Sequence, residues 1–186
     1  MQCPSISPCY NKNMIIVILI FISIILLLLI FWQFSTIISI FGGVHYVYSG
    51  SEIIRESLKI AKAKKEDNFW ELGSGFGSGL VIASEEFGLK SVGIEISPFH
   101  YLVSKIKTRG LNNIQIILSN IKNINLESAK IVYCYLSPKL MHYLSKKLYQ
   151  ELKPGSIIIS NSFPIPDKKP YLTQKIKNKK IYFYKI

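Results

Sequence analysis

Three glycines at alternate positions and two glutamates form the constellation in this sequence that could carry chemistry. The glycines are Gly73, Gly75 and Gly77 in the stretch ELGSGFGSG, Glu71 stands just before them, and Glu95 lies in the later stretch VGIEI. A glycine-rich turn lets the backbone approach a ligand closely. A carboxylate at the tip of the next strand can accept hydrogen bonds from both hydroxyls of a ribose, and the earlier carboxylate can meet a positively charged group.

The spacing of the glycines selects among nucleotide ligands. A dinucleotide-binding turn has the pattern G-x-G-x-x-G, but the third glycine is replaced by Ser78 when the count starts at Gly73, and by Leu80 when it starts at Gly75. The pattern therefore does not favour a pyrophosphate. S-adenosylmethionine has a ribose and an ammonium group without a pyrophosphate, so it is the cofactor that this constellation predicts. A glycine turn that binds no ligand is the alternative.

The elements that would position these residues alternate between strand and helix. Short apolar strands are predicted at 68–72, 90–96, 113–119, 129–136, 156–162 and 179–186, the last of them pairing with a strand near 171–177. Helices are predicted at 51–65, 78–88, 97–110 and 137–155, and the last two begin with Ser-Pro, in which the serine is the N-cap. This alternation predicts an α/β fold, with a mostly parallel sheet and helices on both faces.

The charge of the chain is unevenly distributed. The 186 residues include 23 Lys and Arg against 11 Asp and Glu, a net charge of +12, but residues 1–51 contain a single charged side chain, Lys12. Arg55 and Arg109 are the only arginines, although arginine is the residue whose fork fits phosphates and guanine edges. A nucleic-acid partner is therefore not expected. A lysine-rich surface beside a membrane anchor can instead attract anionic lipid headgroups.

The three cysteines do not predict a metal site. Cys3, Cys9 and Cys134 have no CxxC spacing and no nearby histidine cluster, so neither a zinc site nor a disulfide framework is expected. Cys134 lies in an apolar run, where it is expected to pack as a small buried residue.

A long apolar segment precedes the predicted domain. From Met14 to Trp32 the only polar residue is Ser23, and at the helical rise these residues span roughly 28 Å, the hydrocarbon thickness of a bilayer. A signal peptide would have a shorter apolar region followed by a small-x-small cleavage site, so an uncleaved anchor is favoured. The predicted organisation is a short tail at 1–13, a transmembrane anchor at 14–41, an entry segment and helix at 42–67, and a domain at 68–186.

The flanks of the anchor predict its orientation. Lys12 alone precedes the apolar segment, whereas several basic residues follow it: Arg55, Lys59, Lys62, Lys64 and Lys65. Because basic flanks stay on the cytoplasmic side, we expect a single-pass membrane protein with its domain on the cytosolic or mitochondrial matrix side.

The glycine turn, Glu95 and the repeating strand–helix units together resemble a known enzyme class. ELGSGFGSG followed by VGIEIS is similar to motif I and the acidic strand-two tip of class I S-adenosylmethionine-dependent methyltransferases. The resemblance implies a Rossmann-like fold. DNA-adenine and glutamine methyltransferases of this class have [DN]-P-P-[FY] after strand four, where this chain has YLSP, so bases and amides are not the expected acceptors.

A narrower resemblance covers most of the domain. The stretches GGVHYVYSGSEIIRESLKIAK, LYQELKPGSIIISNSFPIPDKKP and KKIYFYKI are similar to segments of a small family that includes membrane-tethered mitochondrial and soluble archaeal protein-lysine methyltransferases. This chain departs from the family pattern at His45 and Tyr48, where prolines are usual, and at Phe76, where aspartate is frequent.

This resemblance implies roles for individual residues. The cofactor would be bound by the glycine turn, the acidic tip and their neighbours: Glu71, Gly73, Ser74, Gly75, Gly77, Glu95, Ile96 and Asn120. Tyr46 would close over the cofactor or the lysine channel, and Tyr135 would stand where the transferred methyl group emerges. Leu136, Asn161 and Phe163 would line the substrate side.

The function expected from these features is methylation of a protein lysine in or near a membrane. The partners would be a protein with an accessible lysine and a lipid bilayer contacted through residues 14–41. Two alternatives stay open at this point: a methyltransferase for a small molecule or lipid precursor, and a non-catalytic cofactor-binding scaffold. No dedicated base is expected, because desolvation in an aromatic channel itself favours a neutral lysine.

Overall fold

The computed structural model describes residues 12–41 and 49–186. The chain divides into two compact units, with the boundary between Phe34 and Ser35. The prediction for Tyr46 and the departures at His45 and Tyr48 lie outside the described residues.

The first helix is long, apolar and exposed. α1 (Lys12–Phe41) has 30 residues, and its large apolar side chains between Met14 and Ile40 are mostly exposed. Within the described ranges it is the one helix long and apolar enough to cross a membrane, with a mean hydropathy of 3.7. A signal sequence can meet the same criteria, so α1 is a candidate span.

The remaining elements form an α/β unit. Its helices are α2 (Ser51–Ile60), α3 (Ser78–Phe87), α4 (Pro98–Lys107) and α5 (Pro138–Glu151), with a 3-10 turn at Ile121–Asn123. Its strands are β1 (Asn68–Leu72), β2 (Lys90–Glu95), β3 (Ile114–Leu118), β4 (Ile131–Cys134), β5 (Ile157–Asn161), β6 (Leu172–Ile176) and β7 (Lys179–Lys185).

The strands form one seven-stranded sheet in the order β3-β2-β1-β4-β5-β7-β6. The first five strands pair in parallel, and β7 is antiparallel to both of its neighbours. Because β2 and β4 lie on opposite sides of β1, the strand order switches at β1, and the carboxyl ends around β1 form the crevice where such folds bind ligands. The predicted Rossmann-like, mostly parallel sheet is confirmed.

Alternating side chains along the strands build a core on each face of the sheet. On β4, Ile131 and Tyr133 enter the core under α2 and α3, whereas Val132 and Cys134 enter the core under α5. The burial of Cys134 is complete, as predicted. Leu58 of α2 is fully buried in the first of these cores, so α2 belongs to the same packed unit as residues 68–186.

Several elements end earlier than the sequence predicts, and local backbone geometry explains why. α2 stops at Ile60 because Lys62 adopts a left-handed conformation (φ 54°) and the Ala63 amide bonds back to the carbonyl of Leu58, a helix-ending arrangement. β4 stops at Cys134. The two Ser-Pro helix starts are confirmed: Ser97 accepts from the His100 amide at 3.3 Å, and a second serine caps α5 in the same way.

Candidate active site

The glycine turn joins β1 to α3 in a conformation that glycine adopts readily. Gly73, Gly75 and Gly77 have φ angles of 79°, 52° and 72°, in the left-handed region that strains other residues. A side chain at Gly73 would also meet Leu136, at 3.2 Å from the added Cβ atom. The turn therefore needs glycine for its backbone and for the close approach of the β4 end.

The backbone amides of this turn bond inside the protein. The amides of Gly73 and Ser74 both donate to the carbonyl of Ile94, at 2.9 and 3.0 Å, and the Gly77 amide donates to the Ser74 carbonyl at 2.9 Å. Turns that cradle phosphates present such amides to the ligand. Because these amides are already paired, the turn suits a cofactor without a pyrophosphate.

Glu95 fixes the turn from the tip of β2. Its carboxylate is 3% exposed and accepts hydrogen bonds from the Gly75 amide at 2.7 Å and the Ser97 amide at 2.8 Å. A carboxylate has about four lone-pair sites. Two of them hold the backbone, and two are left for the ribose hydroxyls that the sequence assigns to this residue.

Glu71 lies beneath the first turn of α3. It is 5% exposed, the Leu80 amide donates to its carboxyl group, and a Cβ atom added at Gly79 would lie 2.6 Å from both carboxyl oxygens. Burial, and then the neighbouring charge of Glu95, raise the pKa of Glu71 to about 8. Its Oε2 atom is buried without a hydrogen-bond partner among residues 12–41 and 49–186.

An orphaned buried acceptor costs free energy until a donor reaches it. The Oε2 atom of Glu71 is such an acceptor once the carboxyl group ionises, and an ammonium group such as that of S-adenosylmethionine is a donor that fits it. The residues of the turn therefore fit the predicted cofactor.

Gly93 of β2, which the sequence analysis did not single out, packs closely against the glycine turn. A Cβ atom at Gly93 of β2 would lie 2.5 Å from Cδ1 of Leu80 and 2.7 Å from Oγ of Ser74. Ser74 is itself buried, and no described residue forms a hydrogen bond with its Oγ atom. A glycine inside a strand often marks a close approach of another part of the backbone. Gly93 in the stretch VGIEI is such a glycine, so the sequence did contain a signal for this contact.

The residues expected around the ribose and the adenine lie together. One small cleft is lined by Gly73, Ile94, Glu95, Ile96, Asn120, Ile121 and Leu140. The side-chain oxygen of Asn120 accepts from the Lys122 amide at 3.0 Å and caps the 3-10 turn. Asn120 is thereby held at the carboxyl end of β3, and its contact with an adenine stays a prediction.

One face of α4 covers the glycine turn. His100 packs against the ring of Phe76 with centroids 4.6 Å apart. Ser104 lies 3.2 Å from the position of a Cβ atom at Gly77, and Lys107 donates to the Ser78 hydroxyl at 2.7 Å.

His100 is a residue on this face that the sequence pattern does not single out. Its Nδ1 atom lies 3.9 Å from the Glu95 carboxylate, and burial lowers the pKa of His100.

The residues expected on the acceptor side lie at the ends of β4 and β5. Tyr135 and Phe163 stack nearly in parallel, with ring centroids 6.4 Å apart and an interplanar angle of 22°. Leu136 is buried against the glycine turn. Asn161 is fully buried and donates to the Tyr133 hydroxyl at 2.8 Å, so it faces Tyr133. The roles assigned to these residues in acceptor binding stay predictions.

The carboxyl edge of the sheet thus brings the glycine turn and its two glutamates to one side and the Tyr135–Phe163 pair to the other. Residues 71–172, more than half of the chain, match the family model described as the ANTKMT methyltransferase domain. The chain belongs to this family. It is an S-adenosylmethionine-dependent methyltransferase, and the class I resemblance seen in the sequence is confirmed.

Individual relatives agree with this assignment. A protein-lysine N-methyltransferase of Saccharolobus islandicus (strain REY15A) is 29% identical over 151 residues, which cover 77% of this chain and 94% of the relative. An RNA methyltransferase of Salinibacter ruber, solved with S-adenosylhomocysteine, superposes with a TM-score of 0.73 at 23% identity, over 75% of this chain and 94% of that chain. A methyltransferase of Geobacter sulfurreducens, also solved with S-adenosylhomocysteine, has a TM-score of 0.51 at 20% identity, over 58% and 47% of the two chains.

Proposed function

We propose that this methyltransferase is a membrane-anchored protein-lysine N-methyltransferase that acts on membrane or membrane-proximal proteins. The observation that carries the proposal is the similarity to the Saccharolobus protein-lysine N-methyltransferase over 94% of that relative's length. The Salinibacter neighbour is an RNA methyltransferase by name, but at 23% identity it supports the fold alone.

The site suits transfer to an amine. S-adenosylmethionine, when bound, supplies an electrophilic methyl group on a sulfonium. The protein then has to align an acceptor and keep it neutral. Tyr135 and Phe163 offer an aromatic, half-buried wall at the ends of β4 and β5, which can align the side chain of an acceptor lysine. Tyr135 in this role positions the acceptor and does not exchange its proton.

Membrane anchoring rests on the character of α1. Contiguous exposed apolar surface of this extent is unfavourable in water and marks contact with a membrane or a partner. α1 exposes apolar side chains along its whole length from Met14 to Ile40. A bilayer would cover that surface, and 30 residues suffice to cross it.

The outer face of α4 also suits a headgroup region. Leu102 and Ile106 are 49% and 75% exposed, one helical turn apart. The exposed basic residues Lys105 and Arg109 lie beside them, and residues 97–110 contain no acid. Apolar side chains flanked by cations are typical of surfaces that rest on anionic lipid.

A comparison of labelled proteins tests the proposal. Full-length protein and a chain that begins at Gln33 are incubated with methyl-labelled S-adenosylmethionine, membranes and soluble extract, and the label is traced to methyllysine after acid hydrolysis. The shorter chain keeps Ser35, whose hydroxyl accepts from the Phe99 amide at 2.9 Å. We expect methyllysine in membrane proteins with the full chain, and about tenfold less with the shorter chain, because the tether raises the effective concentration.

Two further results separate this proposal from its alternatives. Replacement of Leu102 and Ile106 by Asp in the full chain should lower membrane labelling, whereas replacement of the exposed Gln115 by Asp should not. Label that is extracted with lipids or small molecules would indicate the small-molecule alternative, and cofactor binding without any transfer would indicate the scaffold. Equal labelling of soluble proteins by both chains, with no labelling of membrane proteins, would contradict the proposed anchoring.

We further propose that the α/β unit lies on the cytosolic or matrix side, as the basic residues that follow α1 favour. Protease added outside sealed right-side-out vesicles should then leave residues 52–186 intact. Detergent should expose them to digestion, which serves as the control. Digestion of this region in intact vesicles would reverse the orientation.

A further inference from the structure

Lys179 lies at the edge of the sheet where the acceptor has to arrive. It is the first residue of β7, and β7 runs antiparallel to β5, so the start of β7 meets the carboxyl end of β5, with Asn161 paired to Ile181. Lys179 itself pairs with Ile176 across the β6–β7 hairpin. Backbone pairing therefore holds Lys179 at the same carboxyl edge as the ends of β4 and β5.

The ammonium group of Lys179 lies on Tyr135. Its Nζ atom is 4.2 Å from the centroid of the Tyr135 ring and donates to the Tyr135 hydroxyl at 3.1 Å. Phe163 stacks beside the same ring. An aromatic face attracts a cation, more strongly where water is partly excluded, and both Lys179 and Tyr135 are half-buried.

The neighbouring lysines of the hairpin behave differently. Lys175, Lys177 and Lys180 are exposed, and Lys177 forms an ion pair with Glu52 of α2. A lysine that only needs hydration would extend into water as these do. The side chain of Lys179 instead lies on the ring of Tyr135, which follows β4.

We propose that Tyr135, with Phe163 beside it, is the subsite that first receives the acceptor lysine as its ammonium, before the proton is lost for methyl transfer, and that Lys179 occupies this subsite until a substrate lysine displaces it. The inference rests on the proposed lysine specificity. It adds that Lys179 lowers the apparent affinity of the enzyme for a substrate lysine. The chemistry of the two lysines is the same, so both cannot use the ring face and hydroxyl of Tyr135 at once. Lys179 thus competes with the acceptor from within the chain.

The test uses full-length protein in detergent micelles with S-adenosylhomocysteine, so that binding is measured without turnover. The probes are a fluorescein-labelled Ala-Gly-Lys-Gly-Ala peptide and the same peptide with norleucine in place of lysine. Lys179→Met keeps the side-chain length and removes the ammonium group. It should bind the lysine peptide about threefold more tightly or better than the wild type does, with little change for the norleucine peptide.

Two variants complete the design. Lys180→Met, at the adjacent exposed position, should leave both affinities unchanged. Tyr135→Leu combined with Lys179→Met should lose the gain, because the shared subsite is gone. The proposal is overturned if Lys179→Met binds the lysine peptide no better or more weakly than the wild type, or if it shows no preference for lysine over norleucine.

Failure of the proposed lysine methylation would give a different result from failure of the Lys179 proposal. Full-length protein and Lys179→Met would both transfer no label to any lysine when S-adenosylmethionine replaces S-adenosylhomocysteine, although lysine-peptide binding still differed between them. In turnover assays with an acceptor in hand, Lys179→Met should lower KM with kcat changed less than about twofold. A fall in kcat at unchanged KM would instead mean that Lys179 assists the transfer.

Discussion

Glu95→Ala is expected to lose about thirtyfold or more of its affinity for S-adenosylhomocysteine. Two effects add in this variant. The ribose loses its charged acceptor, which costs about 2–4 kcal/mol, and the Gly75 and Ser97 amides lose the partners that they now reach at 2.7 and 2.8 Å. The glycine turn then loses its fixed conformation together with its contact to the cofactor.

Calorimetry on folded protein measures this loss, and thermal unfolding in detergent separates it from damage to the fold. Glu85→Ala, a change of the same type at an exposed position of α3, is the matched control and should leave the affinity unchanged. Glu95→Gln keeps one oxygen for a backbone amide and should be more stable than Glu95→Ala, with affinity still reduced. Unchanged affinity in folded Glu95→Ala would remove Glu95 from the cofactor site.

The fold could be read from the sequence because local signals and burial agree. Ser97 and Ser137 cap their helices as their Ser-Pro pairs predict, and the apolar runs become strands within a few residues of their predicted bounds. Helix ends were less predictable. The left-handed Lys62 that ends α2 has no sequence signal, since lysine is not a residue that usually adopts this conformation.

The clustering of the residues expected to bind the cofactor was predictable for a similar reason, whereas the contact between Lys179 and Tyr135 was not. Glu71, the glycines and Glu95 lie within one strand–turn–helix–strand unit, so their spacing alone brings them together. Lys179 and Tyr135 are 44 positions apart in the sequence. Their contact depends on the register of the β6–β7 hairpin, which the local sequence does not predict. His100 was missed because its partner Phe76 belongs to a different element.

Glu71 should make cofactor binding depend on pH, with affinity rising as pH increases from 6 to about 7.5. Burial raises the pKa of Glu71 to about 8 from an ordinary value of 4.5, so the free protein holds this carboxyl group protonated at neutral pH. We infer that the ammonium group of the cofactor pairs with the Oε2 atom, which has no partner within the part of the chain that the structure describes. The pairing favours the ionised form, so binding at pH 7 should release close to one proton.

The same shift has the opposite effect on the stability of the free protein. Between pH 4.5 and about 8 the folded protein binds a proton at Glu71 that the unfolded chain has released. The free energy of unfolding therefore falls as pH rises through this range. As pH rises, the free energy of unfolding of the free protein should therefore fall while its affinity for the cofactor rises. A carboxylate on the surface would not give this combination.

Calorimetry in buffers of different ionisation enthalpy measures the released proton, and Glu71→Gln is the decisive variant. It keeps an acceptor oxygen but cannot ionise, so it should release no proton at this site and bind more weakly at pH 7.5 with a flat dependence on pH. The free variant should also lose less stability than the wild type between pH 6 and pH 7.5. Glu85→Gln should match the wild type in all these respects. If Glu71→Gln keeps the proton release of the wild type, the ammonium group pairs elsewhere and the burial of Glu71 serves the fold alone.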